Sequence, residues 1–181
     1  MARQIYYLKV TLADTEPAVW RRIAIPGAFT LDRVHRAIQI AVGWQDCHLH
    51  SFEIGSVQYG EPDPDALLEM RDELDVRLDA VVGKDGRFTY VYDFGDWWEH
   101  EIVVEDVLSP EFDQRYPYCV DGDRAGPPED IGGAGGFEHY LAALADPLPP
   151  ENRDLLELIG RDFKPDDFDP DRVSAVMRRM V

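Results

Sequence analysis

The chain has 181 residues, 45% of them hydrophobic, and 18 Lys and Arg against 36 Asp and Glu give a net charge of −18. Such a length and composition suit one globular domain, with or without a small appendage, and exclude a disordered chain. The charge repels phosphate backbones and excludes generic nucleic-acid binding, and no apolar run is long enough to span a membrane.

The charge is uneven: residues 1–45 carry six basic and three acidic side chains, a net of +3, while residues 46–181 carry twelve and thirty-three, a net of −21. Two cysteines, Cys47 and Cys119, make neither a disulfide framework nor a CxxC pair. No signal-peptide pattern opens the sequence, so a cytoplasmic protein is expected.

Residues 5–14 alternate, with Tyr6, Leu8, Val10 and Leu12 on one face, and read as a strand; Glu16-Pro17 turns the chain into a second strand over residues 18–25. Thr30 opens a helix whose apolar positions Leu31, Val34, Ile38, Ala41 and Val42 have helical spacing, and Gly43 stops it. A third strand is expected over residues 47–54 and a short one over 57–59. An acidic loop or short helix follows over residues 60–75, then a helical turn at 78–82.

Residues 87–104 read as a hairpin turning at Phe94-Gly95. That register sets Asp93 opposite Asp96 and Thr89 opposite His100, with Asp93, Asp96 and His100 sharing a face with Val91, Trp98 and Ile102. Two like charges directly opposed cost up to about 1 kcal/mol, so a cation, an arginine, a shared proton or backbone amides should offset them. Residues 109–136 hold four prolines and six glycines and read as a long functional loop or a subdomain break. Helices are expected over residues 137–145, 152–159 and from Asp169-Pro170 onward. Strands and a helix, more strands, then helices make an α+β domain over residues 1–181: an N-terminal strand pair, one helix, a mixed or antiparallel sheet and C-terminal helices.

His48 and His50, two apart on a strand, point to one side beside Phe52 and Ile54. They are either hydrogen-bonded structural histidines or ligands of a divalent metal ion, since neutral imidazole suits zinc and related ions. Asp93, Asp96 and His100 supply the remaining candidate ligands, although Asp beside a turn also accepts turn amides. Cys119, with Asp121 nearby, either completes a thiolate–imidazole site or packs inertly. Glu129 and Asp130 precede a glycine-rich helix start without the lysine of a phosphate loop, and cap the helix or pair with arginine. No serine sits in a nucleophile setting.

Taken together, several segments carry a family resemblance: Tyr7-Leu-Lys-Val-Thr-Leu, Val19-Trp-Arg-Arg, Phe29-Thr-Leu, Gly43-Trp44 with His48-Leu-His-Ser-Phe, and Tyr59-Gly. Further along stand Tyr92-Asp-Phe-Gly-Asp with Trp98 and His100, Cys119-Val-Asp-Gly, Pro127-Pro-Glu-Asp-Ile-Gly-Gly, and Asp167-Phe-Asp. The chain resembles the Ri-plasmid open-reading-frame-three-like family, whose members are sometimes labelled resolvase-like passenger proteins of insertion elements. The resemblance implies a compact α+β fold of unusual topology with no settled activity, sometimes fused to other modules. A serine recombinase needs a nucleophilic serine near its N-terminus and a basic DNA-binding end; no serine precedes Ser51, and residues 46–181 are acidic. The resolvase label does not fit this chain.

Two functions follow as expectations. One is a binding or interaction module for a protein or small molecule, linked to mobile elements through the resemblance. Its cleft would be walled by Trp44, Trp97 and Trp98 and made polar by Cys119, Asp121, Glu129 and Asp130. The other is a metal-dependent hydrolase with His48, His50, Asp93, Asp96 and His100 as ligands and Glu129 or Asp130 as general base.

Overall fold

A computed structural model describes residues 4–62 and 70–180. Five of the eight strands are β1 (Ile5–Leu12), β2 (Trp20–Pro26), β6 (Arg87–Tyr92), β7 (Trp98–Leu108) and β8 (Tyr118–Asp123). The others are β3 (His50–Ile54), β4 (Val57–Gly60) and β5 (Arg71–Asp72). They form one sheet in the order β5-β4-β3-β6-β7-β1-β2-β8, antiparallel except for the β4–β5 pair at one edge. Helix α1 (Leu31–Val42) buries Leu31, Val34, His35, Ile38 and Val42 against it. A single turn, α2 (Leu78–Val81), precedes β6, and α3 (Gly133–Ala145), α4 (Pro150–Ile159) and α5 (Pro170–Met177) close the chain. The α+β architecture is therefore as the element order implies. Among the described residues no helix is long and apolar enough to cross a membrane.

Local rules explain most boundaries. Gly43 ends α1 in the left-handed region at φ 104, donating its N–H to the Gln39 carbonyl. Asp169 caps α5 by accepting the N–H groups of Asp171 and Arg172, and Pro170 occupies the first turn. Alternation places Leu8, Val10, Ile23, Ile25, Phe52, Tyr90, Trp98 and Ile102 in the core.

Three expectations need correction. The hairpin does not turn on two residues: Tyr92 pairs with Trp98, Tyr90 with His100 and Thr89 with Glu101, leaving residues 93–97 as the turn. Phe88, Tyr90 and Tyr92 alternate and must share the core face with Trp98, His100 and Ile102. The two-residue register would have put these sets on opposite faces, because a slip of one residue flips every side chain. Asp93 and Trp97 close the wider turn with φ of 57 and 56, so no pair of aspartates opposes in the sheet.

The third strand begins at His50, leaving His48 in the bend before it. The stretch read as a long loop contains β8, which pairs with β2 from Trp20 to Ala24. The expected acidic loop falls partly on residues 63–69, outside the described residues.

Candidate metal centre and its cleft

The hairpin turn is built around Asp93. Its backbone N–H donates to the Leu49 carbonyl at 2.8 Å, its carbonyl accepts from Trp97 at 2.6 Å, and Oδ1 takes the Gly95 N–H at 2.9 Å. Oδ2 is left to face His48, 3.6 Å away. Asp96 instead reaches the glycine-rich segment, where Oδ2 accepts the Gly132 N–H at 3.0 Å. A Cβ on Gly133 (φ 67) would stand 2.4 Å from the Asp96 carbonyl, so only glycine fits that approach.

Two further ties hold residues 127–132 against the body. Trp44 donates its indole N–H to the Pro127 carbonyl at 2.9 Å. Glu129 Oε1 accepts from the Gln45 N–H at 2.9 Å and the Tyr92 hydroxyl at 3.2 Å. The segment is thus tied down by side chains from α3's start back to the end of α1.

These ties bring three carboxylates around one imidazole. His48 Nε2 lies 3.2 Å from Asp130 Oδ1, 3.6 Å from Asp93 Oδ2 and 3.9 Å from Glu129 Oε2. Yet Nε2 makes no hydrogen bond, and neither does Glu129 Oε2; both atoms are buried. Cys47 Sγ joins His48 and Glu129 within 4.8 Å. Ligands bonded at about 2.0–2.1 Å to a tetrahedral ion stand about 3.3 Å apart; His48, Asp93 and Asp130 lie mutually within 4.8 Å, and so, separately, do His48, Cys47 and Glu129, but not all the carboxylates at once. Buried polar atoms without partners cost free energy, and a cation between them would satisfy His48 and Glu129 together.

A second group behaves differently. His50 Nε2 bonds both Glu73 oxygens at 2.9 and 3.0 Å, and its ring stacks on His35. His35 Nε2 meets Asp46 Oδ1 at 2.7 Å, and Nδ1 meets the Tyr90 hydroxyl at 2.8 Å. The Asp46 carboxylate can only accept, so the neutral ring carries its proton on Nε2, and Nδ1 accepts the Tyr90 hydroxyl proton while that hydroxyl accepts from Gln39. Burial, and next the neighbouring His50, push His35 down to about 4. These contacts are hydrogen-bond lengths in a satisfied network, unlike the spacings around His48.

The second group lines a cleft of about 390 Å³ through His35, Asp46, His50 and Glu73; of the first group only Cys47 and His48 reach it, and Leu49 and Leu74 flank it. Leu49 and Leu74 are exposed and give its rim apolar surface.

The remaining candidates lie elsewhere. His100 is fully buried, its Nδ1–H aimed at the Trp98 carbonyl at 3.0 Å and its ring edge-on to Trp44. Burial holds it at about 4, a neutral core histidine outside the His48 group. Trp98 is core, packed on Trp44 and Phe137, whereas Trp97 is exposed at the turn and walls no cleft. Cys119 and Asp121 sit on β8, the opposite edge of the sheet from β3–β5, and so do not share the cleft. Cys119 is buried, its backbone bonded to Ser174, and burial pushes its thiol up to about 11. Asp121 is exposed, 3.8 Å from Arg22.

Sequence reasoning missed His35, Asp46, Cys47, Glu73 and Tyr92. His35 had a legible signal, a titratable residue on the apolar face of an amphipathic helix. Glu73 had none, since its partner stands 23 residues away.

Fold and site together define an α+β module with an acidic, histidine-lined cleft. The model of the plasmid pRiA4b ORF-3-like protein family matches residues 4–172, and the chain belongs to that family. A curated relative, the uncharacterized protein y4hQ of Sinorhizobium fredii (strain NBRC 101917 / NGR234), is 37% identical over 162 residues, covering 88% of this chain and 83% of the relative. The crystal structure of protein of unknown function MM3350 from Methanosarcina mazei Go1 is similar at a TM-score of 0.87 and 33% identity, covering 96% of this chain and 99% of that one.

Proposed function

We propose that this chain is a cytoplasmic binding module whose cleft is bordered, at His48, by one divalent cation that draws His48, Asp93, Glu129 and Asp130 together. The observation that carries this reading is the unpartnered His48 Nε2 set among three carboxylates, with Glu129 Oε2 equally unpartnered. One imidazole and three carboxylates form a mixed, mainly hard donor set, which suits Mn²⁺ or Zn²⁺ better than a soft ion. Three clustered carboxylates in a chain of net charge −18 repel one another, and a dication relieves that repulsion. The bound partner is a small molecule or a protein segment entering beside Leu49 and Leu74. The link to mobile elements rests on the family's plasmid name alone.

A second reading, metal-dependent hydrolysis, draws on the His50–Glu73 pair bordering the same cleft. A bound cation would supply Lewis acidity there, and His50, oriented by Glu73, would take a proton.

Elemental analysis of untagged protein purified without chelator tests the shared premise, followed by calorimetric titration of Mn²⁺ and Zn²⁺ into the stripped protein. One equivalent of tightly held ion, lost in His48→Ala, is expected. No ion on purification and no binding at micromolar concentration would overturn both readings.

A further inference from the structure

A second cavity, about 370 Å³, lies beside the C-terminal end of α1. Arg21, Arg172 and Asp167 line it, with Val42, Phe168 and Val176 among its apolar walls. Gly126 forms part of its wall by lying directly on the helix end, where a Cβ would stand 2.3 Å from the Val42 carbonyl. Behind the wall Gly122 lies against Phe168, whose ring a Cβ would meet at 2.7 Å. The segments around Arg21, Gly122 and Phe168, which give nothing to the His48 cleft, thus meet here.

Arg21 is the informative residue, only 2% exposed. Its Nε donates to the Ala41 carbonyl at 2.6 Å, and Nη1 donates to the carbonyls of Trp20 and Asp123, both at 2.8 Å. Phe168 covers one face of the guanidinium at 4.2 Å. Among the described residues no carboxylate stands within ion-pair distance of Arg21, although acids outnumber bases two to one. Its neighbour Arg22 holds Glu105 at 2.5 Å, and Arg124 holds Asp166 at 2.8 Å.

Carbonyl dipoles at a helix C-terminus soften a buried cation without neutralising it, and a desolvated charge without a counter-charge is expensive. Burial accordingly pulls Arg21 down to about 10. Among the described residues Nη2 makes no hydrogen bond, it is not among the polar atoms sealed from solvent, and Arg21 is part of the cavity's lining.

We propose that this cavity binds a small monocarboxylate with an apolar body, the carboxylate held by Arg21 Nη2 and Arg172 and the body packed on Val42 and Val176. Arg172 already pairs with Asp167 at 3.2 Å, so the lining is left with the one positive charge of Arg21, which a monoanion matches, sharing Arg172 with Asp167. A phosphate dianion would exceed that charge, meet Asp167 and face the acidic field of the whole chain. Charge-assisted hydrogen bonds from arginine to carboxylate are strong enough to select the anion over an uncharged analogue of the same shape. The site stands apart from the cation reading and does not depend on it.

The test uses the ¹⁵N-labelled full chain with hexanoate, hexanol and inorganic phosphate as probes. Hexanoate should move the Arg21 Nε–H resonance and the amides of Ala125, Gly126 and Val173 along a saturable curve, binding about tenfold tighter than hexanol or more. Arg172→Gln should weaken hexanoate by about tenfold. Val176→Phe, at an exposed rim position that the fold tolerates, should fill the space and abolish binding. Equal binding of hexanol would reduce the cavity to an apolar hole, tighter phosphate would make the ligand class wrong, and absence of saturable shifts would remove the site.

Discussion

His35 and His50 stack face to face, ring centroids 3.5 Å apart and planes 7° from parallel. Two imidazolium charges at that separation repel strongly, so the stack resists taking two protons. Each ring has its own carboxylate, Asp46 for His35 and Glu73 for His50, which fixes the pair across the floor of the cleft.

Acid should therefore destabilise the protein well before general carboxylate protonation is complete. His35 and His100 are both held at about 4, against about 6.5 in an unfolded chain. Below pH 6.5 the unfolded state takes up protons that the native state refuses, so stability falls as pH falls and the loss is complete near pH 4. Each histidine contributes on the order of 3 kcal/mol to that loss. Urea unfolding at pH 7, 6, 5 and 4 should show the decline, and the imidazole resonances of both residues should remain those of the neutral ring at pH 5. A stability curve flat from pH 7 to 5 would contradict this.

Neighbouring carboxylates should separate cleanly by role. Glu129→Gln should lower Mn²⁺ or Zn²⁺ affinity by about tenfold or more, because it removes a charged donor at the His48 centre. Asp96→Asn should leave affinity nearly unchanged and cost about 1–2 kcal/mol of stability, since its carboxylate only anchors the Gly132 amide. Calorimetric metal titration and chemical unfolding of both variants decide it; equal metal effects would show that the turn, not the ligand set, was disturbed.

Gly136→Ala offers a contest between propensity and packing. Helix propensity alone favours alanine by about 1 kcal/mol. The added Cβ, however, would stand 1.9 Å from the Ile131 carbonyl, a backbone atom with no rotamer to escape through. A net loss of stability is expected, read as a lowered unfolding midpoint, and a stabilised variant would show that residues 131–136 can reshape.

Ser174→Ala should cost about 1–3 kcal/mol. The Ser174 hydroxyl accepts the Cys119 N–H at 2.9 Å and donates to the Cys119 carbonyl at 3.1 Å, linking α5 to β8 inside the core. Both backbone groups lose their partner when the hydroxyl goes. An unfolding free energy within experimental error of the parent would mean that another partner replaces it.

Duplex DNA should not bind at physiological salt. Most of the basic cluster near the N-terminus is already engaged: Arg21 is buried, Arg22 is paired with Glu105, and Arg33 lies over the Phe29 ring at 3.9 Å, which leaves Arg36 exposed. A mobility shift at micromolar protein and about 150 mM salt, weakening steeply with added salt, would show that a local patch outweighs the field of −18.

Much of the scaffold was legible because period 2 and period 3.6 leave plain marks. The faces of β1 and β2 and the buried stripe of α1 follow from residue spacing alone. The turn at residues 93–97 was not legible, since it needs a left-handed conformation at Trp97, a residue type that rarely adopts one, as well as at Asp93. His48 and Asp93 were visible as candidates, and Glu129 and Asp130 as polar members of the cleft. That the three carboxylates all approach His48 depends on the Trp44–Pro127 and Asp96–Gly132 ties, contacts between distant segments that no local pattern encodes. His100 misled for a related reason: its partners are backbone carbonyls, which are invisible in side-chain composition.

Strand β1 lies in the interior of the sheet, paired on one side with β2 and on the other with residues 100–108 of β7. During synthesis the β1–β2 hairpin emerges well before β7, and one flank of β1 has no neighbour until residues 100–108 have left the ribosome. For that interval the nascent chain carries an open, apolar strand edge, the geometry that recruits chaperones or other unfinished copies. Pairing across so many residues also raises the entropy of closing the sheet, which slows folding relative to a protein built from local contacts. In this molecule β1 stays open on one flank until β7, far along the chain, is in place.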